Sequence, residues 1–417
     1  MPEPPAWRFQ KIIKPMFEIP QSHVILKGCI LTCVGNEVIE DGYIEIENGK
    51  IKAVGVAAGL VSDASEHPGC ICPGEVVETG GTLLPGMFNN HAHLAWDGVH
   101  DLANQSMFDS PEISAYKSAG NMLLNLHSGV TTVRDLGMNK TNFTAKQAVE
   151  QGIFPGPRLL ITGEAIVQTG GHTYWCCREA SGADEMRRAV RDQVRGGADL
   201  IKIMACHDRL EFTDAELEAV IDEAHRNGLP VTAHATNDPS INRCLRFGID
   251  VIEHAGKMTD ETIQLMLDRK VPIVTTFSAV VMQANAEVAR RYNIPEWKIA
   301  ERQKSMADTA SYDSIVKAAK AGVPIAFGTD AGSPVVQHSV IVPEMTFMIR
   351  LGVVDGNYGA IHSATDVSAR MNKLDVQLGT LEVGKLADVV VVAGNPLDNL
   401  EALEQVRMTF LAGKRMV

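Results

Sequence analysis

Four histidines stand where apolar, strand-like runs of this sequence end. His91 and His93 lie in Asn89-Asn90-His91-Ala92-His93, directly after the run 82–88; His234 closes the run 230–234 and His254 the run 251–254. Side chains at i and i+2 of a strand face one side, and at a frayed strand end both imidazoles can turn toward one point, which suits a metal ion. Lys202 sits inside the run 200–204, and Asp330 closes the run 324–330. Each residue alone has an ordinary reading. His-x-His can be a solvated turn, Lys202 a snorkelling structural lysine, His234 and His254 satisfied core histidines, and Asp330 a helix cap. Together they carry more, because ionisable groups are seldom buried at strand ends without partners. Nitrogen and oxygen ligands of this kind suit zinc or another first-row divalent ion, with cobalt and manganese open.

The elements that would position them alternate regularly. Strand-like runs fall at 82–88, 131–135, 158–162, 200–204, 230–234, 251–254, 272–277 and 324–330, with helical stretches such as 184–196 and 213–227 between. The latter opens on Thr213-Asp214-Ala215-Glu216, a capping-box spacing. Eight buried runs alternating with helices predict an α/β chain with parallel strands in a (β/α)8 TIM barrel. Reactive groups of such a barrel collect at the C-terminal strand ends, where these six residues lie. Residues 279–312 break the rhythm and are long and charged; they read as an inserted helix or lid at the mouth, or as a solvated surface helix.

Outside the alternation both chain ends turn to β patterning. Runs at 24–33, 42–47 and 50–55, with a hairpin turn at Asn48-Gly49, are matched by runs at 384–392 and 406–413. The expected division is a proline-bearing arm at 1–20, a split β-sandwich domain from 21–81 and 374–417, and a barrel from 82 to 373, with a loop at 61–75.

Composition narrows the function. With 417 residues, 45% hydrophobic and 21% charged, the chain can bury a sizeable core. A formal net charge of −13 disfavours nucleic acid and anionic membrane as partners. No run approaches a membrane span, and residues 1–10 lack an apolar signal core, so the expected location is cytoplasmic. Eight cysteines in a chain this long give no dense disulfide framework, and the adjacent Cys176-Cys177 would not readily bridge; they read as reduced thiols.

These motifs together resemble the amidohydrolase superfamily over nearly the whole chain. Pro85-Gly86-Met87-Phe88-Asn89-Asn90-His91-Ala92-His93 is similar to its opening metal motif, and Ile201-Lys202-Ile203-Met204 to the strand of its carboxylated lysine. Thr232-Ala233-His234-Ala235, Ile252-Glu253-His254-Ala255-Gly256 and Phe327-Gly328-Thr329-Asp330 are similar to its remaining ligand strands. Gly384-Lys385-Leu386-Ala387-Asp388 and Gly394-Asn395-Pro396 resemble its return to the β domain. The likeness is greatest to the imidazolonepropionase-like and metal-dependent Xaa–amino acid dipeptidase branch, with its prolidase-like and arginine/lysine carboxypeptidase members.

The resemblance implies two divalent metal ions. His91, His93 and Asp330 would hold one and His234 and His254 the other, bridged by Lys202 carboxylated on Nζ. A hydroxide shared by the metals would attack an amide carbonyl, and Asp330 would pass its proton to the leaving amine. Gly170-Gly171-His172-Thr173-Tyr174 resembles the branch's substrate loop, making His172 the expected oxyanion contact and Tyr174 a second substrate contact. Trp96 and Asp97 would line the pocket, while His100 and His207 read as ordinary polar residues. The resemblance also implies a small-molecule substrate and a homo-oligomer.

Two departures stand out. Asn89 occupies the place of the superfamily's usual aspartate, removing a carboxylate from behind the ligands. Ala235-Thr236-Asn237-Asp238 replaces the branch's further histidine or tyrosine after the fifth-run ligand. The expected activity is cleavage of an amide C–N bond in a dipeptide or N-acyl amino acid. The alternatives are a urea, carbamate or cyclic amide substrate, a mononuclear deaminase, and a non-catalytic scaffold.

Overall fold

Alternation in Tyr43-Ile44-Glu45-Ile46-Glu47 becomes an alternation of burial. Ile44 and Ile46 are fully covered while their neighbours stay half-exposed. A computed structural model describes residues 23–59, 75–207 and 209–417; the expected arm and most of the 61–75 loop lie outside them. Strand β1 (Val24–Leu31) pairs antiparallel with β2 (Val38–Glu47), which turns through Asn48 and Gly49 into β3 (Lys50–Val56). Both turn residues have positive φ, 52° and 78°, the geometry that makes Asn-Gly a hairpin signal. On its other side β1 pairs in parallel with β4 (Glu75–Pro85).

The run at 82–88 is not one strand. Its first half ends β4, and after Gly86 the chain begins β5 (Met87–Ala92). A Cβ at Gly86 would lie 2.1 Å from Thr131 Oγ1, so the crossing between sheets requires glycine.

The parallel strands follow: β5, β6 (Val130–Asp135) and β7 (Arg158–Ile161) form one sheet. A second sheet holds short β8 (Ile166–Gln168) and β9 (Arg178–Ala180), then β10 (Ile201–Met204), β11 (Val231–Asn237), β12 (Val251–Lys257), β13 (Ile273–Val274) and β14 (Ile325–Ala326). Backbone hydrogen bonds also link residues in and beside the strands of the two sheets. Asn90 N donates to Phe327 O and Asp330 N to His91 O on one side, and Asp199 N donates to Ile161 O on the other. The sequence runs at 272–277 and 324–330 exceed the two-residue strands found there, because their polar ends leave the ladder.

Helices separate the strands. Helix α1 (Leu102–Phe108) and α2 (Pro111–His127) follow β5, and α3 (Thr141–Glu150) follows β6. Next come α4 (Ala183–Gly196), α5 (Asp214–Arg226), α6 (Asp238–Phe247) and α7 (Asp260–Arg269). The capping box expected at Thr213 and Glu216 is formed in full. The charged stretch 279–312 folds as α8 (Ser278–Ala284), α9 (Ala286–Arg291) and α10 (Glu296–Ala307), three helices rather than one. Their start is fixed by buried Glu344, whose carboxylate accepts from the backbone N–H of Phe277 and Ser278.

At the C-terminal end, β15 (Val389–Val392), β16 (Val406–Leu411) and β17 (Lys414–Arg415) return to β4. Both chain ends therefore pair in one sheet of order β17-β16-β15-β4-β1-β2-β3. The expected sandwich is, among the described residues, a single hydrogen-bonded sheet, because β4 is long enough to pair with both halves. Its core joins Leu26, Ile44 and Ile51 to Val389, Val391 and Phe410. No helix among the described residues is long and apolar enough to cross a membrane.

Candidate active site

The six residues singled out by type come to one place. His91, His93, Lys202, His234, His254 and Asp330 all line a cavity of about 150 Å³ at the C-terminal ends of the parallel strands. His91 and His93 leave the end of β5, Lys202 stands on β10, His234 on β11 and His254 on β12, while Asp330 follows β14. Nitrogen atoms of His91 and His93 and a carboxylate oxygen of Asp330 lie within 4.8 Å of one another. Asp330 Oδ1 is 3.1 Å from His93 Nε2 and 3.5 Å from His91 Nε2. The His254 ring centroid is 4.7 Å from that of His91 and 4.5 Å from that of His234. A larger cavity, about 1000 Å³, opens at the other strand ends beside Leu200, Pro230 and Pro272 and contains none of these side chains.

Backbone geometry aims two of the six. His254 and Asp330 have φ of 67° and 58°, a region that costs a residue with a Cβ about 1–2 kcal/mol. Those turns break the two-residue alternation and swing both side chains inward. Gly328 lets the strands approach: a Cβ there would sit 2.6 Å from Val274 Cγ1 and 3.0 Å from His91 Cβ.

His91, His93 and His254 each use Nδ1 for a bond directed away from the centre. His91 Nδ1 bonds Glu253 Oε2 at 2.8 Å, His93 Nδ1 bonds the Gly137 carbonyl at 2.6 Å, and His254 Nδ1 bonds Thr276 Oγ1 at 2.6 Å. The Gly137 carbonyl can only accept, so His93 donates through Nδ1 and its Nε2 faces Asp330 Oδ1 at 3.1 Å. Asn89, in place of a carboxylate, accepts from Thr329 N and His91 N and donates to Thr329 Oγ1, fixing the segment before Asp330. The carboxylate behind His91 comes instead from Glu253, which also meets Arg134 Nη2 at 3.4 Å.

Burial and neighbours set the charges. Burial, then the other basic groups of the cluster, holds His234 and His254 well below the usual imidazole range, so both are neutral. Burial works to raise the Asp330 carboxyl, but His91 and His93 outweigh it and hold the group ionised. Lys202 is 2% exposed, and its Nζ has no hydrogen-bond partner among the described residues. Burial pulls this ammonium down to about 8, against the opposing pull of Glu253 and Asp330.

The substrate-side residues divide. His172 lines the cavity, its ring centroid 4.6 Å from that of His234 and stacked on His207 at 4.4 Å. His207 is thus a close neighbour of the site and not merely an ordinary polar residue. Trp96 is buried in the wall with its ring 4.6 Å from that of His93. Tyr174 is 53% exposed and outside the lining; Trp175, Cys176 and Cys177 take that wall, carried there by a turn that follows Thr173 at φ 56°. Asp97 pairs with Lys117 instead of facing the cavity. Sequence reasoning missed Glu253, although a carboxylate inside the apolar run Val251-Ile252-Glu253 was a usable signal.

A model described as "Amidohydrolase family" matches residues 82–416. Ochratoxinase of Aspergillus niger is 26% identical over 365 residues, covering 78% of this chain and 72% of its own. The A. niger ochratoxinase crystal structure superposes with a TM-score of 0.78 at 25% identity, over 95% of this chain and 96% of that one. A crystal structure of an Xaa-Pro dipeptidase with methionine bound in its active site gives 0.81 at 27% identity, over 94% and 99%. A prolidase complexed with N-methylphosphonate-L-proline gives 0.80 at 26% identity over the same shares.

Proposed function

The chain belongs to the amidohydrolase family and is a hydrolase, and from that premise we propose that it cleaves the amide C–N bond of a dipeptide or N-acyl amino acid with two divalent metal ions. The observation that carries this is Lys202 Nζ, a buried amine without a hydrogen-bond partner among the described residues, amid four histidines and an aspartate. A buried cation in that position is costly, and reaction of its neutral amine with carbon dioxide converts it to an anionic carbamate with release of a proton. The donor set fits two divalent metals: His91, His93 and Asp330 would hold one, His234 and His254 the other, and carboxylated Lys202 would add further oxygen donors. Zinc suits these ligands, as do cobalt and manganese.

When bound, the metals would polarise the amide carbonyl and lower the pKa of the attacking water. The chain supplies the rest. Asp330, held ionised by its histidines, takes the proton of the attacking water and delivers it to the leaving nitrogen. His172, fixed by Glu211 Oε1 accepting from its backbone N–H at 2.7 Å, faces the developing oxyanion. Trp96 closes the wall beside the scissile bond and excludes water. The likeness to an Xaa-Pro dipeptidase and to an ochratoxinase supports amide hydrolysis.

The scaffold reading belongs with this proposal. We read β5–β7 and β10–β14 as the eight strands of a (β/α)8 barrel at 82–373, with a β domain from 21–81 and 374–417; backbone hydrogen bonds between the two parallel sheets support this reading. The protein would act on a small molecule, as a cytoplasmic homo-oligomer.

The test is a screen of metal-loaded protein against dipeptides and N-acyl amino acids, reading free amine. Side-chain-selective release supports the reading. A blank with metals bound moves the substrate to a urea, carbamate or cyclic amide.

A further inference from the structure

A second cavity, about 350 Å³, adjoins the first, and the two share His234, His254 and Asp330. Arg302 is the one lysine or arginine among the residues lining it. It stands on α10, inside the charged stretch that interrupts the strand–helix rhythm. Its guanidinium is positioned rather than loose: Nε donates to Gln283 Oε1 at 3.2 Å, and buried Gln283 donates in turn to Pro334 O at 3.1 Å, four residues past Asp330. Glu301 makes a loose ion pair with Nη1 at 3.7 Å, too long for a hydrogen bond. An arginine that lines a cavity and is held through Nε keeps its outer nitrogens, the fork that matches a carboxylate, out of that hydrogen bond.

The two cavities differ in character. Trp96, Trp175, Leu102 and Met204 give the smaller one apolar walls, whereas the larger one carries the guanidinium. We propose that Arg302 is the specificity-determining residue of this site, binding the free carboxylate of an N-acyl amino acid whose apolar acyl group fills the smaller cavity. This rests on the amide-hydrolase reading and narrows it to substrates that are anionic on the amine side of the scissile bond.

The experiment compares the metal-loaded native chain with Arg302→Met and Arg302→Lys. Two substrates are used: the best N-acyl amino acid and its decarboxylated counterpart, with the same acyl group and side chain. Arg302→Met should raise KM for the carboxylate substrate about a hundredfold with kcat changed less than about threefold, as expected for loss of a charge-assisted pair. Its kcat/KM for the neutral counterpart should stay that of the native chain, and Arg302→Lys should recover part of the lost affinity. Equal losses on both substrates, or no loss on either, would overturn the assignment. Calorimetric binding of the free amino acid gives a readout that needs no turnover. Binding at least about tenfold weaker in Arg302→Met supports the anchor even if the hydrolytic reading fails, and equal binding overturns it.

Discussion

Glu253 accepts a hydrogen bond from His91 Nδ1 at 2.8 Å, although the two residues come from strands 162 positions apart. The ionised carboxylate, held well below the usual range by Arg134 and His91 against burial, makes Nδ1 the donor and leaves Nε2 of His91 toward Asp330. Glu253 is therefore a positioning residue for the candidate metal centre.

Glu253→Gln removes that charge while keeping the side chain's shape. Metal affinity, measured by competition with a chromophoric chelator, is expected to fall about 10–100-fold. An affinity equal to that of the native chain would show that His91 orients itself without Glu253.

Lys202→Ala deletes the buried amine and with it the proposed bridging carbamate. Elemental analysis should find most bound metal lost, and amide hydrolysis should fall by a factor on the order of 10³ or more. Retention of full metal content with intact activity would remove the lysine from the mechanism.

His172 and Tyr174 are neighbours in sequence with opposite expectations. His172→Ala should lower kcat on the order of 10²–10³-fold with metal content unchanged, the size of a lost oxyanion contact. Tyr174→Ala should leave kcat/KM within about threefold, because that ring is 53% exposed and outside the cavity.

Glu344 sets a pH dependence of stability. Burial lifts its carboxyl from 4.5 to about 7, against the backbone and hydroxyl donors of Phe277 and Ser278. The folded chain then keeps a proton that the unfolded chain has lost, so this group's contribution to stability declines as pH rises from about 4.5 to about 7, by about 3 kcal/mol at most. Glu344→Gln lacks this titration. Its Tm relative to the native chain should rise between pH 5 and pH 8, and a gap independent of pH would contradict the assignment.

The candidate centre was legible because its residue types recur at one structural place, the ends of apolar runs. Strand alternation alone could not reveal Glu253: neighbours 253 and 254 should face opposite sides, and both reach the interior region only because His254 adopts φ 67°. A left-handed conformation at a residue with a Cβ leaves no mark in sequence. The same holds at Thr173, whose φ of 56° puts Trp175 and Cys176 where Tyr174 was expected. The break at Pro85-Gly86 was written in the residues, since glycine is needed against Thr131, yet the continuous apolar character of 82–88 concealed it. Arg302 reads in sequence as one more charge on a solvated helix; only the fold sets it over a cavity shared with His234 and His254.

The central claim is that amide hydrolysis here depends on a pair of metal ions held by this donor set. Titrating the metal-depleted protein with zinc while following amine release from an N-acyl amino acid tests it most directly. Activity that saturates only near about two equivalents per chain is the predicted result. Saturation at about one equivalent, or release of ammonia from a ring substrate in place of amide cleavage, would contradict it.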